Sequence, residues 1–158
     1  MADALGFTQT SLANIFSESD VIVCMAPLTP GTTGMIGAAE LELIRPGAVF
    51  VNVSRGGIVD SAALVERLKR GDINAGLDVY DPEPIPPGSE ITTLPNVFLS
   101  PHIASSTAET RQRFFTLMVD ELERHFHGHE TKFDLTSRTQ ANRIASGPTH
   151  SLPPGSSP

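Results

Sequence analysis

Tryptophan is absent from these 158 residues, and tyrosine and cysteine occur once each. Any core is therefore mainly aliphatic, built from Val, Ile, Leu and Ala. A single thiol, Cys24, cannot close an internal disulfide, which fits a reducing compartment. Basic residues are scarce: 11 Lys and Arg against 18 Asp and Glu leave a formal charge of −7. No basic stripe is available to neutralise phosphates, which argues against a nucleic-acid partner. No apolar run approaches the length of a membrane span. Met1 to Leu5 lack the basic start and apolar stretch of a secretion signal. The expected location is the cytoplasm, away from any membrane.

What is present alternates. Val21 to Ala26, Ala48 to Val53, Ala75 to Tyr80 and Val97 to Ser100 are short apolar runs of the kind found in strands buried on both faces. Between them, Ala38 to Ile44 reads as a short helix stopped by Pro46-Gly47. Ser61 to Arg70 reads as a helix capped by Asp60 and closed by Gly71. The longest helix follows the last run. Ser106 and Glu109 have capping-box spacing, and Phe114, Met118, Leu122 and Phe126, with Phe115 beside them, form one apolar stripe. Past about residue 130 the pattern fades, and Ser146 to Pro158, rich in Ser, Pro and Gly, is expected to be disordered. The expected organisation is one α/β domain over residues 1–130, with a parallel sheet of about four strands and flanking helices, and a tail over 131–158.

Right-handed crossovers place every strand's carboxyl end on one edge, where ligands of open α/β sheets bind. Pro27, Ser54, Arg55, Asp78 and His102 all fall there, and Glu83 follows in a proline-rich loop. Arg55 offers a planar fork for a carboxylate, beside Gly56-Gly57, which lets the backbone turn sharply. Asp78 is a carboxylate inside an apolar run, costly unless it is paired or at the strand end. His102 suits reversible proton transfer near neutral pH. Taken singly, Arg55 and Glu83 also read as solvated surface charges, and His102 as a packed ring bonded to backbone. Their convergence on one edge makes them a site. His125, His127 and His129 alternate around a helix end and point different ways, so no metal site is expected.

These blocks together resemble the nucleotide-binding domain of the D-isomer-specific 2-hydroxyacid dehydrogenase family. The matching segments are Ser19 to Ile22 leading to Ala26-Pro27-Leu28-Thr29, then Asn52-Val53-Ser54-Arg55-Gly56-Gly57-Ile58-Val59-Asp60. They continue with Ala75-Gly76-Leu77-Asp78-Val79-Tyr80 through Glu83-Pro84, then Pro95-Asn96-Val97 and Ser100-Pro101-His102-Ile103-Ala104. The resemblance covers about residues 5–128 and implies a partial Rossmann-like, doubly wound sheet. It implies that Arg55 binds the substrate carboxylate and carbonyl, that His102 is the acid/base, and that Glu83 bonds His102 and raises its pKa. It implies that Asp78 contacts the nicotinamide side of the cofactor, with Ala26, Pro27, Val53, Ser54, Arg55, His102, Ala104 and Ser105 lining the same groove. The implied cofactor is NAD or NADP, with NAD favoured. The implied substrate is a small 2-hydroxy or 2-oxo acid, and the full-length protein is expected to be a homodimer.

The family's glycine-rich phosphate loop and its ribose-binding acid have no counterpart in this sequence, nor does the separate substrate domain. The expectation is a piece of a longer protein, with an open edge on its first strand, marginal stability alone and poor cofactor binding. The alternative function is a non-catalytic, dinucleotide-sensing or protein-interaction module derived from the same family.

Overall fold

The computed structural model describes residues 6–134 and residue 136. The tail expected to be disordered, residues 146–158, lies outside the described residues. Four strands, β1 (Val21–Cys24), β2 (Val49–Asn52), β3 (Asn74–Leu77) and β4 (Val97–Leu99), form one parallel sheet in the order β1-β2-β3-β4. The expected architecture of about four parallel strands with flanking helices is the one observed. Each strand is shorter than its apolar run, because the runs continue past the last ladder bond into the turns at the carboxyl edge.

The helices are α1 (Leu12–Glu18), α2 (Ala38–Glu42), α3 (Ser61–Leu68) and α4 (Ala108–Phe126). Their starts are set by local chemistry. Ser11 Oγ accepts from Asn14 N at α1, and Glu40 accepts from Gly37 N at α2. Asp60 Oδ1 accepts from Ala63 N at α3, as its sequence position suggests. Helix α1 was not expected from the sequence. The start of α4 also differs: Thr107, not Ser106, caps it, its hydroxyl accepting from Thr110 N at 3.1 Å.

The core lies on one face of the sheet. Ile22, Cys24, Phe50, Ala75 and Leu77 point toward Phe16, Leu41, Ile44, Leu64 and Leu68, all buried. Each large side chain buried this way contributes roughly 1.5–3 kcal/mol. The buried Arg67 ties α3 to α2, donating Nε to Leu41 O at 3.1 Å and Nη2 to Ile44 O at 2.9 Å, while Asp72 takes Nη1. That guanidinium bond holds the Asp72 carboxyl below its ordinary value, against a weaker opposing effect of desolvation.

The alternate side chains face the other way and are uncovered. Val21, Val23 and Phe98 on that face are 59%, 50% and 71% exposed. No residue of α4 is buried either, so its apolar stripe does not reach the core of this chain.

Candidate active site

All four strands end on one edge, and the turns leaving them carry the site. Past β4 the chain passes through Ser100-Pro101 into His102, whose φ of 54° is the only positive value at a non-glycine among the described residues. That left-handed conformation costs roughly 1–2 kcal/mol and needs support from its surroundings. Asp78, just past β3 and 3% exposed, provides it. Its Oδ1 accepts from Ile103 N and its Oδ2 from Ala104 N, both at 2.9 Å, and Ser100 Oγ donates to Oδ1. Burial pushes the Asp78 carboxyl up, but the Ser100 hydroxyl, the two amides and the neighbouring imidazole outweigh it and hold the pKa below 3.8. The Tyr80 hydroxyl lies 2.7 Å from both Leu77 O and Ser100 O, tying the end of β3 to the end of β4.

Against this turn stands Glu83, with its Oε1 2.7 Å from His102 Nδ1. The two side chains are 37% and 40% exposed. An ionised carboxylate only accepts, so Nδ1 carries a proton toward it and Nε2 is left for a ligand.

The turn after β2 is built from Asn52, 2% exposed. Its Oδ1 accepts from Ser54 N at 3.1 Å and Ser54 Oγ at 3.0 Å, and its Nδ2 donates to Arg55 O at 3.1 Å. Gly56 then packs against the segment that leads to Glu83. A Cβ on Gly56 would lie 1.9 Å from the Tyr80 carbonyl carbon and oxygen. Arg55 is exposed, and its Nη1 donates to Ser54 O at 2.6 Å. Among the described residues its guanidinium makes no hydrogen bond to Glu83 or His102. The structure thus brings His102 and Glu83 into contact and places Arg55 on the same edge, joined to them through the Gly56–Tyr80 packing.

The remaining expected residues share this edge. Pro27 O accepts from Thr32 Oγ1 at 2.6 Å, just after Ala26. Val53 N donates to Cys24 O at 3.4 Å, and Ser54 Oγ lies 3.4 Å from Cys24 Sγ. Ala104 and Ser105 follow His102. Asp78 lies on the same edge, with its buried carboxylate turned inward to hold the His102 turn.

Residues 1–104 match the family model described as the D-isomer specific 2-hydroxyacid dehydrogenase, NAD binding domain. The chain belongs to the D-isomer specific 2-hydroxyacid dehydrogenase family. It is 41% identical over 122 residues to glyoxylate/hydroxypyruvate reductase B of Enterobacter sp. (strain 638), a match covering 77% of this chain and 38% of that protein. It is 43% identical over 119 residues to glyoxylate reductase of Aeropyrum pernix, covering 75% and 36%. Among solved structures, a D-isomer specific 2-hydroxyacid dehydrogenase from Xanthobacter autotrophicus Py2, in complex with NADPH and MES, superposes with a TM-score of 0.71 at 36% identity. That match covers 80% of this chain and 52% of the other. The family enzyme from Lactobacillus delbrueckii ssp. bulgaricus, in NAD-complexed form, gives a TM-score of 0.75 at 26% identity, covering 82% and 44%. This dehydrogenase-family chain therefore spans well under half the length of the curated relatives it matches.

The edge fits one end of a dinucleotide. Met25, Val53 and Ile103 present exposed apolar surface at the strand ends, beside the exposed Arg55 and His102, a setting for a planar ring and a small acid. It does not offer a phosphate cradle among the described residues. Gly56 is fully engaged in packing, and Ser11, Glu40, Asp60 and Thr107 each take one amide at the starts of α1 to α4. Sequence reasoning gave no role to Asn52, Tyr80 or Ser100. The argument applied to Asp78, that a polar side chain at the end of an apolar strand must be bonded, identifies Asn52 as well.

Proposed function

We propose that this chain supplies the acid–base centre of an NAD(P)-dependent oxidoreductase that interconverts a small 2-hydroxy acid and its 2-oxo acid. The observation that carries the proposal is the 2.7 Å contact between His102 Nδ1 and Glu83 Oε1, set on a turn that Asp78 holds from below. The names of the reductases it resembles point to glyoxylate and hydroxypyruvate as substrates to try first.

The residues divide the work. Glu83 fixes the ring orientation and stabilises the imidazolium, so that Nε2 is the atom that exchanges a proton. In reduction, His102 Nε2 gives its proton to the carbonyl oxygen of the 2-oxo acid. In oxidation, the neutral ring takes the proton of the hydroxyl. Arg55 swings from Ser54 O to form a paired bond with the substrate carboxylate and draws charge onto the carbonyl oxygen. Asp78 keeps its charge inside the turn and acts by positioning His102. The nicotinamide cofactor, when bound, supplies or accepts the hydride. Ala26, Pro27, Val53, Ser54, Ala104 and Ser105 would line its nicotinamide end. Structures of relatives hold either NAD or NADPH, which supports either cofactor here.

The test follows NADH and NADPH absorbance with the purified chain and glyoxylate, hydroxypyruvate or pyruvate. Turnover abolished by His102→Ala and reduced about a hundredfold by Glu83→Gln supports the proposal. Turnover indifferent to His102→Ala overturns it. Cofactor binding without turnover favours the non-catalytic, dinucleotide-sensing reading instead. Pairing of the full-length protein with a second copy is a separate part of this proposal.

A further inference from the structure

Asp78 secures the far side of the His102 turn, through Ile103 N and Ala104 N. The near side has a separate anchor. His102 N donates to Ser100 O at 3.1 Å, closing a tight three-residue turn across Pro101. Proline has no N–H, so Pro101 adds no backbone donor of its own. The same Ser100 carbonyl lies 2.7 Å from the Tyr80 hydroxyl. Leu77 O is equally near that hydroxyl, but it already accepts Ser100 N at 2.9 Å. A phenol has one proton to donate, and its larger share goes to Ser100 O, whose other bond is the longer one. Burial and the charges of Asp78 and Glu83 push the phenol above its ordinary value of 10.0, against the lowering effect of the Ser100 bond. The donor therefore persists through neutral pH.

Tyr80 meets the rest of the site from the other direction. Its own carbonyl packs under Gly56, where a Cβ would lie 1.9 Å away, and Glu83 follows three residues later. Tyr80 thus touches the Arg55 turn with its backbone and the His102 turn with its hydroxyl, and it leads into the loop that carries Glu83. It also borders two hollows, one of about 480 Å³ toward α3 and one of about 340 Å³ beside Glu83 and Pro101. A residue with open space on two sides is held there less by packing than by its hydrogen bonds.

We infer that Tyr80 is a positioning residue for the acid–base pair: its hydroxyl anchors the Ser100 carbonyl on which the His102 turn hangs, and so holds the imidazole against Glu83. The inference rests on the acid–base reading of that pair. Without the hydroxyl, Ser100 O keeps only the His102 bond, the turn can move away from Glu83, and Nδ1 loses its partner.

The test reads the His102 ring by nitrogen-15 resonance in the full chain, above the pH range in which histidine titrates, with His102→Gln identifying its signals. In the parent, the neutral ring should carry its proton on Nδ1, facing Glu83. Tyr80→Phe keeps the aromatic ring and removes only the oxygen. It should lower the ratio of the Nδ1–H form to the Nε2–H form about fivefold, the net weight of one hydrogen bond. Tyr80 is the sole tyrosine, so 3-fluorotyrosine enters at this position alone. Fluorine acidifies the phenol, which then ionises at moderately alkaline pH and stops donating. The same shift should appear in the fluorinated chain as pH rises, and not in the parent, which gives the answer if Tyr80→Phe does not fold. Glu83→Ala separates the two readings. An Nδ1–H form that Glu83→Ala leaves unchanged defeats the acid–base reading and this inference with it. A form that shifts in Glu83→Ala, but not when the Tyr80 hydroxyl is removed or ionised, overturns this inference alone. Tyr80 would then be a structural tie only, even if its variant melts earlier.

Discussion

Asp78 carries its charge in a place where burial alone would raise the carboxyl's pKa. The donors of Ser100, Ile103 and Ala104 reverse that preference, so the folded state binds this proton less readily than the unfolded chain does. Its contribution to stability is therefore complete above the ordinary value of 3.8 and is lost as pH falls through the lower folded value. Asp78→Asn puts an amide donor where the carboxylate now accepts an amide N–H, and should cost about 2 kcal/mol at neutral pH. The penalty should shrink in acid. Thermal melts of both proteins from pH 7 downward check this, and a difference that stays constant into strong acid contradicts it. Gly56 limits the same site sterically. Its neighbours are the backbone atoms of Tyr80 and Asp81, which cannot rotate away as a side-chain end would. Gly56→Ala should push the Arg55 turn off the Glu83 segment at a cost of about 3 kcal/mol. Denaturant melts give the cost, and a shifted His102 ring resonance reports the displacement. An alanine variant as stable as the parent would mean the two segments are not in contact.

Arg67 joins elements rather than residues. Its guanidinium is buried and closes the carbonyl end of α2 from α3, satisfying Leu41 O and Ile44 O, which water does not reach. Arg67→Ala strands Ile44 O, leaves Leu41 O only its bond from Ile44 N, and should lose about 3 kcal/mol in urea melts, whereas an exposed arginine would lose almost nothing. At this scale the sequence was legible where local and tertiary signals agree. Asp60 caps α3 as its position indicates, and Leu64 and Leu68 turn inward. It was less legible where two signals compete. Ser106 with Glu109 and Thr107 with Thr110 are alternative caps for α4, and the threonine pair forms. Helix α1 was missed because its seven residues offer only Leu12, Ile15 and Phe16 as a pattern, with no acid in its first turn and no base in its last. The site divides in the same way. The convergence of Arg55, Asp78 and His102 on one edge follows from alternation and crossover handedness. The inward turn of Asp78 does not, because its partners are backbone amides with no side-chain signature. The stripe of α4 was read correctly as apolar, but periodicity says that a face needs cover, not which surface provides it.

Across the whole molecule, the dinucleotide problem is one of ends. The carboxyl edge gathers an apolar floor, the His102–Glu83 pair and an arginine, which suit a nicotinamide ring and a small acid. Phosphates need open amide groups, commonly at a helix start. Here Asp60 and Glu40 put carboxylates at the starts of α3 and α2, where each repels an anion and occupies one amide. The expected consequence is that the chain recognises the nicotinamide end and gains little from the pyrophosphate and adenosine. A cofactor bound with a micromolar dissociation constant would add about 2.7 kcal/mol of stability at a hundredfold excess over that constant. For a domain of this size that is a rise of several degrees in Tm. With NADH at about 100 µM, the shift should stay well below that figure. Reduced nicotinamide mononucleotide at equal concentration should produce nearly the same shift. NADH stabilising the chain far beyond the mononucleotide would show that a phosphate site exists and would remove the physical basis for treating the carboxyl edge as half of a dinucleotide site.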